Sequence, residues 1–276
     1  MTDASFELTL EAGQRRPRLF VEPIFAKAGF LLALSLVVTL SAFALDGRVF
    51  QGENIWLKPI KFQFALSIYL LTLAFFARWL PEGMIEGWKY RTFAGVVVFC
   101  IVGEILWIGG AAALGTASHY NDGTPLTFWL YNLMGAFAVT LTSASLVFGI
   151  AIARNSDTGL DPAVKLSVVL GLILTFVLTL PAAGTLSMMP GHHIGEVVTG
   201  ARVPFMGWSG EVGDLRIAHF FATHAMHFLP LAGLAVLMLP VGVRKPAVMV
   251  AALAFIGFTA FTFVQALNGQ PLIPIT

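Results

Sequence analysis

The stretch Leu166–Pro181 contains no charged residue, and runs of this kind recur along the chain. A spanning helix needs about 20 mostly apolar residues. Seven stretches meet that length: 24–45, 56–79, 92–116, 125–153, 162–188, 214–240 and 246–268. A transmembrane β-barrel would show alternating segments of about ten residues instead, the opposite of these continuous runs. Composition agrees. Charged residues make up 11% of the chain and hydrophobic residues 57%, whereas a soluble globular protein carries roughly 25% charged residues. So few charges cannot cover a water-facing surface. The expected fold is all-α: an integral membrane seven-transmembrane-helix bundle. Residues 1–22 form a polar cytoplasmic tail, and 23–276 form a single transmembrane domain.

The ends of the runs are punctuated. Pro81, Pro125, Pro162 and Pro246 fall at expected helix starts or stops. Thr124 and Asp161 precede a proline and read as N-caps with Pro at the first helical position. Pro59 sits in a first turn, where its missing N–H costs little. Pro181 and Pro230 fall inside helices five and six and should kink or loosen them. Gly109, Gly110 and Gly115 on helix three permit close helix packing. Trp56, Trp107, Trp129 and Trp208, near one set of helix ends, fit an interfacial belt.

Orientation follows from the Lys and Arg bias. With the N-terminus inside, Arg15, Arg16, Arg18, Lys27, Arg78, Lys89, Arg91, Arg154, Lys165, Arg244 and Lys245 lie on the inner side. Arg48, Lys58, Lys61, Arg202 and Arg216 lie outside. The bias is eleven to five, so the expectation is N-in and C-out, in a bacterial inner membrane. The polar first twenty-two residues show no short apolar run before a cleavage site, so no cleavable signal peptide is expected. The net charge of +1 argues against a nucleic-acid partner. The single cysteine, Cys100, rules out a disulfide within the chain and chemistry by a cysteine pair.

Polar residues inside a bilayer are costly and mark function by default. Helix six opens Gly213-Asp214-Leu215-Arg216 and continues with His219, His224 and His227. At about 100° per residue, His224 lies about 140° from His219, with His227 between them. Arg216 and Thr223 share that arc, so this face should look into the bundle. His219 should lie a few Å inside the hydrocarbon. His224 should be about 10 Å deep and His227 about 15 Å, near the midplane. Glu104 on helix three is also near the midplane, and by depth its natural partner is His224 or His227. His119 ends helix three, His192 and His193 sit in the loop after helix five, and Lys58 and Lys61 are one turn apart at the start of helix two. Gln265 and Asn268 close helix seven. Asp214 is most simply the N-cap of helix six. Loop 189–213, the longest, should fold over the outer end as a cap.

Several functions fit these residues. Histidines with a carboxylate can bind Zn, Cu or Fe, and helix bundles use the i, i+3 spacing of His224 and His227 in metal sites. A haem b between two histidines needs them at matched depth on two helices, and here helix six holds the deep ones. A proton relay of Glu104 with the histidines is a third possibility, as in pumps and transporters. Lys58, Lys61 and Arg216 would make the outer end cationic, fit to hold an anionic head group, a carboxylate or a quinone oxygen.

The segments Gly191-His192-His193-Ile194-Gly195, Gly207-Trp208-Ser209 and Gly213-Asp214-Leu215-Arg216 with His219-Phe220 and His224 resemble a family of uncharacterised bacterial polytopic inner-membrane proteins. Asn54-Ile55-Trp56-Leu57-Lys58-Pro59-Ile60-Lys61-Phe62 and Ser118-His119-Tyr120-Asn121 fit the same pattern. The resemblance runs from about residue 50 onward. It implies that the scattered motifs form one site, and it brings no activity with it. It also implies that the position of His227 is often Gln, which leaves His119, His192, His219 and His224 as the better ligand set.

The leading expectation is a metal-dependent membrane enzyme with an outward-facing polar pocket, acting on a lipid-soluble or amphipathic substrate. His119, His192, His219 and His224 are the expected ligands. Glu104 and His227 are the expected catalytic groups. Lys58, Lys61, Arg216, Gln265 and Asn268 are expected to bind an anionic or amphipathic small molecule. The alternatives are a proton-coupled carrier using the same pocket and a haem b electron carrier.

Overall fold

A computed structural model describes residues 20–50, 52–121, 123–204 and 206–275. Most of the expected tail, with Arg15, Arg16 and Arg18, and Asp122 of the loop after helix three lie outside the described residues. Seven helices of 23 to 30 residues are long and apolar enough to cross a membrane. The chain is an all-α, multi-pass membrane bundle: α1 (Pro23–Leu45), α2 (Leu57–Phe76, with a 3-10 turn to Trp79), α3 (Trp88–Leu114), α4 (Pro125–Arg154), α5 (Pro162–Met188), α6 (Leu215–Ala235, with a 3-10 turn to Met238) and α7 (Val241–Leu267). Short connections make successive helices antiparallel. One end of the bundle therefore collects 46–56, 115–124, 189–214 and 268–275; it is called the loop end below.

Local chemistry sets the helix boundaries. The Thr124 hydroxyl accepts from Thr127 N–H, and Asp161 Oδ1 accepts from Ala163 N–H at 2.8 Å, each ahead of a Pro at the start of the helix. These caps match the sequence expectation, and so does Asp214, which accepts from Arg216 N–H at 3.0 Å. At the other end of the bundle the buried Glu22 carboxylate caps α1 by accepting from Ile24 and Phe25 N–H.

Two boundaries differ from expectation. Helix α3 begins at Trp88 rather than 92, so Lys89 and Arg91 are helical. Helix α7 begins at Val241, and Pro246 lies inside it rather than at its start. The reason is Arg244. Its guanidinium donates to the Leu239 and Leu237 carbonyls and to Asp161 Oδ2 at 2.9 to 3.0 Å. This clamp fixes the turn five residues ahead of Pro246, at the cost of the one helical N–H that proline lacks.

Packing is closest where side chains are smallest. A methyl on Gly171 of α5 would come within 2.9 Å of the Ala225 carbonyl and 3.0 Å of Pro230 Cδ on α6. Pro230 removes a helical N–H, and Thr175 Oγ1 of α5 fits alongside by accepting from Met226 N–H at 2.9 Å. Close approach of this kind lets helices pack by van der Waals contact in lipid. On helix three, Gly109 and Gly110 face no group of this chain within 4 Å. Its contact glycine is Gly103, against the Phe137 ring. Gly115 ends α3 in the left-handed region at φ 67°, as a glycine cap does. The core of Phe25, Leu70, Leu73, Tyr90, Val97, Phe148 and Leu172 lies away from the loop end.

Candidate functional site

Loop 189–213 is a built structure. Strand β3 (His193–Ile194) pairs antiparallel with β4 (Gly213–Asp214), setting His193 opposite Asp214. Leu215 N–H donates to the His192 carbonyl at 3.0 Å. Within the loop, the Glu211 carboxylate accepts from Val198, Thr199 and Ala201 N–H. The Thr199 N–H leads the groups that hold this exposed carboxyl down to about 2. Arg202 pairs with Glu53 at 2.7 Å, fastening the loop to a second hairpin, β1 (Val49–Phe50) with β2 (Glu53–Asn54). Gly213 lies so close to the Ala266 carbonyl of α7 that no Cβ fits.

Asp214 sits at the centre of this frame, fully buried. Its oxygens accept from Arg216 Nε at 2.9 Å and from Ser209 N–H at 3.0 Å. Arg216 also donates to the Gly207 carbonyl at 2.6 Å. Burial alone would raise the Asp214 carboxyl. The hydrogen bonds and charge of Arg216, with the Ser209 N–H, outweigh burial and leave it lowered. It is therefore an anion at neutral pH. His193 Nε2 lies 3.7 Å from Asp214 Oδ2 and is buried without a hydrogen-bond partner. The His192 and His193 rings meet edge to face at 4.1 Å. Burial, then the Arg216 charge, pushes His192 down to about 4. Burial also lowers His193. Both imidazoles are neutral at pH 7, with lone pairs available. Ligand atoms of His192, His193 and Asp214 all lie within 4.8 Å of one another, the one such group of three or more among the described residues.

The remaining polar groups form a file along α2, α3 and α6. Lys58 Nζ and Ser118 Oγ each lie 3.1 Å from His119 Nδ1. A lysine ammonium only donates, so His119 Nδ1 accepts and its proton sits on Nε2. Lys58 also lies in electrostatic reach of Glu104, and His119 in reach of His219. Burial, then Lys58 and His219, pushes His119 down to about 3. Deeper on α6, His224 Nδ1 donates to the Phe220 carbonyl at 2.8 Å, leaving Nε2 bare. The His224 and His227 rings are 5.3 Å apart. His227 Nε2 meets Thr72 Oγ1 of α2 at 3.1 Å. Two buried nitrogens here have no partner, His219 Nδ1 and His227 Nδ1.

The expected site residues are thus divided. Of the expected ligands, His192 joins His193 and Asp214, while His119, His219 and His224 do not gather with it at ligand spacing. A ligating imidazole normally donates from its other nitrogen, whereas His119 Nδ1 accepts from Lys58. Glu104 is buried on α3 and lies in the electrostatic reach of Lys58 on α2. Lys61 Nζ lies beside Gly207. Gln265 turns to the C-terminal tail, donating to the Pro271 carbonyl at 3.0 Å, and Asn268 caps α7. Trp107 and Trp208 are not simple belt residues. Trp107 donates to the Ser118 carbonyl at 2.8 Å and holds the His119 loop, and Trp208 packs on Phe220 and Phe221. Sequence reading did not place His193, Asp214 or Thr72 in the site; the adjacent pair His192-His193 was the available signal for the first.

Cavities of about 390 and 400 Å³ lie at the opposite end. Glu22, Glu86 and Arg91 line one, and Trp88, Tyr90 and Phe93 line the other. No protein-family model, curated protein or solved structure matches the chain.

Proposed function

We propose that this membrane protein is a metal-dependent enzyme whose ion is held at the loop end by His192, His193 and Asp214. The supporting observation is the mutual approach of three ligand atoms within 4.8 Å, with the buried His193 Nε2 unpartnered. Two neutral imidazoles and one carboxylate suit zinc, and catalytic zinc sites keep three protein ligands and an open fourth position. An ion there would lower the pKa of bound water toward neutrality and supply a nucleophile. Arg216 holds the Asp214 carboxylate in place, as the outer partners of ligands do.

The excess of Lys and Arg at the other end supports N-in and C-out, which turns the metal centre toward the outer face. Lys61 and Arg216, both against Gly207, are the groups to bind an anionic oxygen of an amphipathic substrate entering from the bilayer. Zinc titrated into metal-free protein in detergent tests the reading. The expected result is one tight site in the wild type and none in the His192→Ala/His193→Ala variant. Equal binding by both proteins contradicts it.

A further inference from the structure

Among the described residues, the histidines outside the metal centre form no group of three ligand atoms within 4.8 Å, yet His219, His224 and His227 succeed one another along α6. We propose that Lys58, His119, His219, His224 and His227 form a one-ended proton path from the loop end to the middle of the bundle. The proposal rests on the metal-centre reading only for what the path would serve; its residues are different ones.

Helix geometry sets the spacing. From the start of α6 at Leu215, His219 lies about 6 Å along the axis, His224 about 14 Å and His227 about 18 Å, at 1.5 Å per residue. His119, in the loop after α3, lies within electrostatic reach of His219. His224 follows His219 in the same way, and its ring is 5.3 Å from that of His227. One ring turn or one bridging water closes such a gap. The file ends at the Thr72 hydroxyl, 3.1 Å from His227. Beyond it, α6 carries no polar side chain from Phe228 to Met238.

Each ring has what transfer needs. His119 accepts at Nδ1 from Lys58 and carries its proton on Nε2. His224 holds a proton on Nδ1 and has a bare Nε2. The unpartnered nitrogens of His219 and His227 are buried where an unmade hydrogen bond is costly. A structural role would have satisfied them, whereas a relay needs a nitrogen free to accept. A proton taken up at the bare His224 Nε2 leaves from Nδ1–H once the ring turns that N–H from the Phe220 carbonyl toward His227, and the ring then turns back. One imidazolium exists at a time and no electron moves. The charged groups against the file are Lys58 from α2 and, behind it, Glu104 from α3. Among the described residues, no charged group of α5 or α7 acts on the α6 histidines. A path closed at its inner end loads and unloads from the same face. It suits a lipid-soluble substrate whose reacting group sits at mid-depth and gains or loses a proton there.

Nitrogen-15 NMR of ring-labelled histidine in nanodiscs tests this by reading the exchange of the His227 ring proton with deuterated water. In His219→Phe and in His224→Gln, exchange at His227 should slow about tenfold or more, the rate cost of losing one hydrogen-bonding link. Both variants should keep the wild-type melting temperature and zinc binding. Unchanged exchange at His227 in variants that still bind zinc overturns the path and leaves the metal centre standing. Loss of zinc binding in His192→Ala/His193→Ala without slower exchange at His227 supports the path as a separate device. Proton leakage across vesicles that disappears in His224→Gln would overturn its one-ended form.

Discussion

The group His192, His193 and Asp214 and the histidines of α6 lie in one bundle, but a loop makes the first and a helix the second. In the loop, a two-residue strand pairing brings His193 to 3.7 Å from Asp214, although 21 positions separate them in the chain. On the helix, the 1.5 Å rise per residue spreads His219 to His227 over about 12 Å of the axis. The loop gathers its groups by chain reversal; the helix grades them by rise. The same residue type is thus gathered in one place and spread out in the other.

That contrast predicts unequal sensitivity. Removing Arg216 should do the most damage, because Asp214 is fully buried and would be left an unpaired anion. Breaking a buried pair in this way costs about 3–5 kcal/mol, so Arg216→Met should melt far below the wild type in detergent. A melting temperature unchanged by Arg216→Met would mean that the loop centre is not held as described. Gly213→Ala should follow, at about 1–3 kcal/mol for overpacking, since the added methyl meets the Ala266 carbonyl. It should also weaken zinc binding by moving Asp214. At the base of the file, Thr72→Val removes one hydrogen bond to His227 and should cost only about 0.5–1.5 kcal/mol.

A pH effect sharpens the comparison. His119 is held at about 3, against an ordinary imidazole value of 6.5. The folded state therefore favours neutral His119, and the unfolded state binds the proton first. This contribution is complete above pH 6.5 and is lost progressively as pH falls from 6.5 toward 3. Melting temperatures should drop over that window in the wild type and drop less in His119→Gln. Equal slopes in the two proteins would contradict the assigned burial of His119.

The fold was largely legible because bilayer spans announce themselves. Length and hydropathy placed all seven helices, and the caps Thr124, Asp161 and Asp214 were visible as residue types at helix starts. Pro246 misled because the Arg244 clamp that overrides it joins α7 to Asp161 and to the turn after α6, a tertiary contact. Within the site, helical periodicity grouped Arg216, His219, His224 and His227 on one arc, but they are only partly buried, and the fully buried face of α6 is made by Leu215, Ala218, Ala222, Ala225 and Met226. It could not assign partners between helices, so it did not foresee that Lys58 of α2 would meet His119 at 3.1 Å. Nor could it foresee a two-residue strand pairing, which carries no periodic signal. His193 was therefore overlooked beside His192, and Asp214 was read as a cap alone although its carboxylate also faces His193.

The central claim is that the loop, and not helix α6, holds the ion. Elemental analysis of purified wild-type protein beside the His192→Ala/His193→Ala and His219→Ala/His224→Ala variants tests it most directly. Stoichiometric metal is expected in the wild type and in the α6 variant, with none in the loop variant. Metal retained by the loop variant and lost from the α6 variant would contradict it and return the ligand role to the helix.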